Sequence, residues 1–135
     1  MIRQHGSPPG HKGIICLIVL FLSITASCAK SSNAPSELIG IWKASDVRYR
    51  GTSFEINENA ITFLDKNGDR NTYTIVEIKR ENMPDKKWVL YTLRYLDSHL
   101  KTTEFPFYFR SSKEAMIRFK HQPSLIWKQD PGFVS

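Results

Sequence analysis

From Leu38 onward, apolar residues recur at every second position in short runs separated by turn-forming residues, and no helical period competes with them. The pattern predicts a first long strand over Leu38 to Tyr49, followed by strands over Ser53 to Asn57 and Ala60 to Asp65 around a Glu58-Asn59 turn. Asn67-Gly68, within Asp65 to Asp69, is a pair that tolerates positive φ at both central positions of a hairpin. The next strand spans about Asn71 to Glu81, with Tyr73, Ile75 and Glu77 on one face. After a turn over Asn82 to Lys86, Trp88 to Leu96 is apolar on both faces at several positions, as expected of the most buried strand.

Asp97 to Lys101 turns the chain again, and Phe105, Phe107 and Phe109 then alternate on one face. Pro106 between them cannot donate to a ladder, which places it at an edge or a bulge. Ala115, Ile117 and Phe119 point in while Arg118 and Lys120 point out; Gln122-Pro123 turns, and Leu125 to Lys128 closes the pattern. About eight short strands joined by tight turns predict an all-β fold, a small antiparallel up-and-down barrel. Strands this short favour a filled or shallow barrel over a deep cup.

The first 27 residues follow a different pattern. Met1 to Gly13 carries Arg3 and Lys12 and no acid, and Ile14 to Ile24 is an apolar run relieved only by Ser23. That run is far shorter than the roughly 20 residues a membrane-spanning helix needs. With the small residues after it, it reads as a secretory signal. Thr25-Ala26-Ser27-Cys28 resembles the lipobox of bacterial lipoproteins, although Thr25 stands where that motif usually has leucine. The resemblance implies cleavage before Cys28, lipid attachment on its sulfur and, with Ala29 rather than aspartate next, an outer-membrane protein facing the periplasm. In a Gram-positive source the anchor would sit in the plasma membrane. Ordinary cleavage that leaves Cys28 a plain thiol is the alternative.

Cysteine counting bears on the same point. Cys16 lies inside the signal, so the mature chain keeps Cys28 alone and no internal disulfide can form. Acyl chains contribute roughly 0.8 kcal/mol per buried methylene, and more than one chain makes a stable anchor. Residues 28–37 read as a lipidated tether, small, polar and Pro-interrupted, ahead of a β domain over 38–135.

Gly40-Ile41-Trp42, at the head of the first strand, resembles the G-x-W of lipocalins and lipocalin-like bacterial domains, with Leu38 ahead of it. The resemblance implies a tight strand start at Gly40, Trp42 plugging the closed barrel end, and a basic residue, Arg118 or Lys128, covering it. The second family motif, T-D-Y, has no counterpart. The body is rich in aromatics: Trp42, Phe54, Phe63, Tyr73, Trp88, Tyr91, Phe105, Phe107, Phe109, Phe119 and Trp127. Of these, Trp42, Phe63, Tyr73, Phe105, Phe107 and Phe109 are candidates to line a pocket for a small hydrophobic ligand. The same residues would equally fill the core of a small domain without disulfides.

Charge and motif searches narrow the function classes. The net charge of +6 falls to +4 once Arg3 and Lys12 are removed, and the remaining cations lie scattered among acids, so nucleic acid is not an expected partner. Asp65, Asn67 and Asp69 have calcium-loop spacing, but the glycine falls at position 4 and Val76 stands at position 12, so a hairpin turn explains them. His99 and His121 are solitary, and no metal site or cofactor is expected. No catalytic triad, paired-carboxylate motif or phosphate loop is present, and the chain is not expected to be an enzyme. Two readings remain: an envelope lipoprotein whose barrel binds a small hydrophobic ligand, or an adaptor with a filled core that binds another envelope protein.

Overall fold

The computed structural model describes residues 29–85 and 87–132. Nine strands form one sheet: β1 (Ala29–Ser31), β2 (Gly40–Ala44), β3 (Ser53–Ile56), β4 (Ala60–Leu64), β5 (Arg70–Asn82), β6 (Val89–Leu96), β7 (Thr102–Arg110), β8 (Met116–Phe119) and β9 (Gln122–Gln129). From β2 to β9 each strand pairs antiparallel with the next, and β9 returns to pair with β2 through Trp42↔Gln129, Lys43↔Lys128 and Ala44↔Trp127. The result is a closed eight-stranded up-and-down barrel, as the alternating pattern predicts. The turns alternate between two ends. The base holds residues 57–59, 83–85 with 87–88, and 111–115, and the rim holds 45–52, 65–69, 97–101 and 120–121.

The period-2 pattern sends one face of every strand inward. Trp42, Phe54, Ile56, Ile61, Ile75, Ile78, Tyr91, Leu93, Phe107, Phe109, Ile117, Leu125 and Trp127 form the buried core. Glu77 departs from the expected face. The β5–β6 register shifts between Ile75 and Glu77, so a bulge at Val76 reverses the alternation and Ile78 takes the inward place. The bulge keeps a carboxylate out of the apolar interior, and Glu77 instead accepts from Arg94 at 2.7 Å on the outer wall. Pro106 sits opposite Thr92 with its carbonyl accepting from Lys120 at 3.3 Å, one position beyond the last β7–β8 pair, Phe107↔Phe119. Its missing N–H therefore falls where that ladder ends.

The expected first strand, Leu38 to Tyr49, is broken at both ends. Ser36–Leu38 is a 3₁₀ turn that buries Leu38 completely under the barrel. Val47–Tyr49 is a second such turn, capped by Asp46, whose carboxylate accepts from the Arg48 backbone N–H at 2.9 Å. At the other end of the chain, Gln122-Pro123 belongs to β9 and the bend falls at Lys120-His121. Trp88 to Leu96 also differs from expectation, since only Tyr91 and Leu93 of β6 are buried and its outer face is half-exposed.

The segment expected to act as a spacer is docked. β1 pairs with β5 through Ala29↔Arg80, Lys30↔Lys79 and Ser31↔Ile78, Ala34 is buried, and its N–H donates to the Glu58 carbonyl at 2.7 Å. An unsatisfied edge of β5, left free where β4 ends, supplies the partner.

Two rim turns share one design. Asp65 Oδ1 accepts from the N–H groups of Asn67 and Asp69, and Asp97 Oδ1 accepts from those of His99 and Lys101. In each, the fourth residue has positive φ: Gly68 at 86° and Leu100 at 60°. Asn67 does not share that conformation, so the turn differs from the two-residue hairpin expected there. Leu100 is 81% exposed, so no packing compensates its left-handed backbone, which costs a non-glycine residue about 1–2 kcal/mol. Leu100→Gly should therefore raise the unfolding free energy by about 0.5–1 kcal/mol in urea titration, after the greater flexibility of the unfolded glycine chain is subtracted.

Candidate functional site

The base is stoppered by the residues that open β2. The Trp42 indole N–H donates to the Leu38 carbonyl at 3.0 Å, which ties the strand to the 3₁₀ turn beneath it. Trp42 is fully buried, stacks near Phe54 with ring centroids 6.3 Å apart, and meets Phe109 edge-on at 6.2 Å. Gly40 has φ of 149°, and a Cβ there would fall 2.7 Å from the Gln129 side-chain nitrogen, which donates to the Ile39 carbonyl at 2.8 Å. The space a side chain would need at Gly40 is held by the Gln129 side chain, which any substitution there would have to push off the Ile39 carbonyl, at a backbone φ that favours glycine.

Neither cation expected over Trp42 lies there. Arg118 alternates outward, where its guanidinium carbon lies 4.5 Å from the Trp88 ring centroid and 5.2 Å from that of Tyr108. Lys128 also points out and pairs with Glu114 at 2.9 Å. Trp88, grouped by composition with the interior aromatics, is correspondingly on the outer wall. It precedes β6, and its ring packs under Arg118 rather than in the core.

The six candidate ligand residues divide into two groups. Trp42, Phe107 and Phe109 lie in the lower interior with at most 3% exposure. Phe63, Tyr73 and Phe105 lie nearer the rim, half-buried and packed on the core. The structure joins the two groups through a continuous chain of rings: Phe105 meets Phe107 at 5.3 Å, Phe63 at 5.8 Å and Phe119 at 4.8 Å, and Phe63 meets Tyr73 at 6.2 Å. Tyr95, absent from the candidates, completes the set by stacking on Tyr73 at 5.0 Å. Its place on the same face as Tyr91 and Leu93 was the signal for it. At these separations the rings contact one another and occupy the interior.

Surface clefts are present, and one of them is bounded by Phe105, one of the six candidates. One of about 570 Å³ sits on the outer wall, bounded by Lys43, Lys113, Ala115 and Asp130, and a rim cleft of about 400 Å³ is bounded by Phe105, Pro106, Phe119 and His121. Among the described residues, no group of three or more potential metal ligands is assembled. Cys28, the expected lipid-attachment residue, lies outside the described residues.

Two polar features of the interior escape a reading by sequence. The Trp127 indole nitrogen is buried with no hydrogen-bond partner among the described residues. The Tyr91 hydroxyl reaches the base and donates to the Glu37 carboxylate. Burial first, and that hydrogen bond second, push the Tyr91 hydroxyl up to about 12. Tyr95 is also raised, chiefly by burial. Compared with protein-family models, curated proteins and solved structures, the chain matches none.

This geometry sets two expectations. Gly40→Ala should lower the unfolding free energy by about 3 kcal/mol in urea titration, since it forces both a strained φ and a displaced Gln129. Tyr91 binds its proton more tightly folded than unfolded, so its contribution to stability is complete below pH 10 and is lost as pH rises from 10 to 12. Urea midpoints should fall across that window in the wild type. Tyr91→Phe should show a shallower fall, the remainder coming from Tyr95.

Proposed function

We propose that the chain is an exported lipoprotein, anchored through Cys28, whose filled barrel acts through its outer surface as an envelope adaptor rather than as a carrier. The observation that carries this reading is the occupied interior. The residues best suited to line an apolar pocket pack against one another, with Trp42 and Phe107 wholly excluded from solvent. A hydrophobic ligand would have to displace rings whose mutual contacts contribute roughly 0.5–1.5 kcal/mol per pair beyond their burial. The anchor rests on Thr25-Ala26-Ser27-Cys28 behind a short apolar segment. The outer wall, not the interior, is therefore where a protein partner is sought.

Mass spectrometry of the protein purified from membranes tests both halves of this reading. The wild type should begin at Cys28 and carry added acyl mass, while Cys28→Ala should carry none. Under native conditions the mass should equal polypeptide plus anchor. A wild type without acyl mass would refute the anchor. A further co-purifying small molecule would refute the filled adaptor and make the barrel a carrier.

A further inference from the structure

Four side chains on the outer wall at the base are unused by the fold's interior. Trp88, Tyr108, Arg110 and Arg118 are all half-buried there. The register explains the cluster: Leu90↔Tyr108 and Tyr108↔Arg118 place these positions in one outward row, and Trp88 lies one step nearer the base beside Arg110. The Arg118 guanidinium is held between the Trp88 and Tyr108 rings, and that of Arg110 lies 5.9 Å from the Trp88 centroid. Arg118 Nε is buried without a hydrogen-bond partner, and among the described residues no carboxylate pairs with either arginine. The carboxylates of the adjoining turns are engaged, Asp85 by the N–H groups of Lys87 and Trp88, and Glu114 by Lys128. Lys87 and Lys113 add exposed cations in the same turns.

The start of the described chain lies at the same end. Ala29 pairs with Arg80, two residues short of the base end of β5. Across β5, Asn82 pairs with Val89, the neighbour of Trp88. The first residue of β1 is thus two strand spacings, about 10 Å, from β6 and Trp88, and three and four spacings from the strands that carry Arg110 and Arg118. Cys28 immediately precedes Ala29, which leaves no free spacer between the proposed anchor and the barrel.

We propose that this base docks directly on the bilayer, with Trp88 at the headgroup level and Arg110 and Arg118 bound to the phosphates of anionic phospholipids. The proposal rests on the reading that Cys28 is the membrane anchor. Guanidinium groups suit phosphate because they are planar, weakly hydrated forks of donors, and indole rings favour the membrane–water interface. Among the described residues no acid is ion-paired with these two arginines, unlike the Lys43–Asp130 and Lys128–Glu114 pairs nearby; the acid in the same row, the exposed Glu81, stands at its far end opposite Leu90.

The test uses the mature chain, residues 28–135, with Cys28→Ser so that no lipid contributes. At low salt it should sediment with vesicles of equimolar phosphatidylglycerol and phosphatidylcholine, and not with phosphatidylcholine alone. Arg110→Gln with Arg118→Gln should weaken that partition about thirtyfold, at roughly fivefold per cation lost. Lys66→Gln with Lys101→Gln removes the same charge from the rim and should change it less than twofold. Thermal melts of both variants confirm that each is folded. Equal losses in the two variants would reduce the effect to net charge and overturn the proposal. So would full displacement by millimolar inorganic phosphate, which would mark a free-phosphate site. Binding to polyglutamate but not to vesicles would instead make the row a surface for an acidic protein. Because the tested chain carries no lipid, its failure leaves any acyl mass on wild-type Cys28 standing, and an unacylated Cys28 leaves vesicle binding standing.

Discussion

Everything in this barrel depends on the short ladder that joins β2 to β9. An eight-stranded meander without that seam has two raw edges and an interior open to water. Yet β2 is only five residues long and shares three register pairs with β9. The seam is extended by contacts outside the pairing: Ser45 N–H to the Ile126 carbonyl at 3.1 Å, Asp130 N–H to the Ile41 carbonyl at 2.8 Å, and the Lys43–Asp130 ion pair at 2.7 Å. Gly40 allows Gln129 to cross beneath it, and Trp42 fills the space that closure creates. The G-x-W sequence is therefore intelligible here from contacts alone: Gly40 must carry no side chain, and Trp42, two residues on, must carry a large one.

Closure also fixes what the aromatics can do. In a ring of strands this short, the interior is little wider than the side chains that point into it. Phe54 alone meets Trp42, Phe63, Phe105, Phe119 and Trp127, with centroids between 5.1 and 6.5 Å. Such a core stands without a disulfide, since the described residues contain no cysteine. Stability and an internal binding site compete for the same residues, and the observed packing assigns them to stability. On the outer wall, by contrast, Trp88 and Tyr108 stand beside arginines rather than stacked on other rings.

The strand count, most of the turns and most of the inward residues were legible because a period-2 pattern maps directly onto a pleated sheet. What was not legible was set by contacts between distant residues. Glu77 looks inward by parity alone, and only the bulge at Val76 reverses it. Leu38 continues an apolar alternation, yet the space under Trp42 draws it into a 3₁₀ turn. Arg118 fits the expected cover for Trp42 by sequence position, but the same alternation that places Ile117 in the core sends Arg118 out to Trp88. Aromatic composition could not separate Trp88 from Trp42, since that distinction depends on which face of the barrel each residue meets.

The docked N-terminal segment connects the fold to its surroundings. A polar, Pro-interrupted stretch has the composition of a free spacer, but β5 outruns β4 and leaves backbone donors and acceptors at its lower half. Pairing with Ala29 to Ser31 satisfies part of that edge, and burial of Ala34 pins the chain ahead of the Ser36–Leu38 turn. Composition predicts flexibility only where no partner is within reach, and here the barrel provides one. An anchor placed one residue before such a strand no longer acts as a leash. In the proposed reading such an anchor would fix which end of the barrel faces the bilayer, and the base, with its indole and its two arginines, would then meet the membrane first.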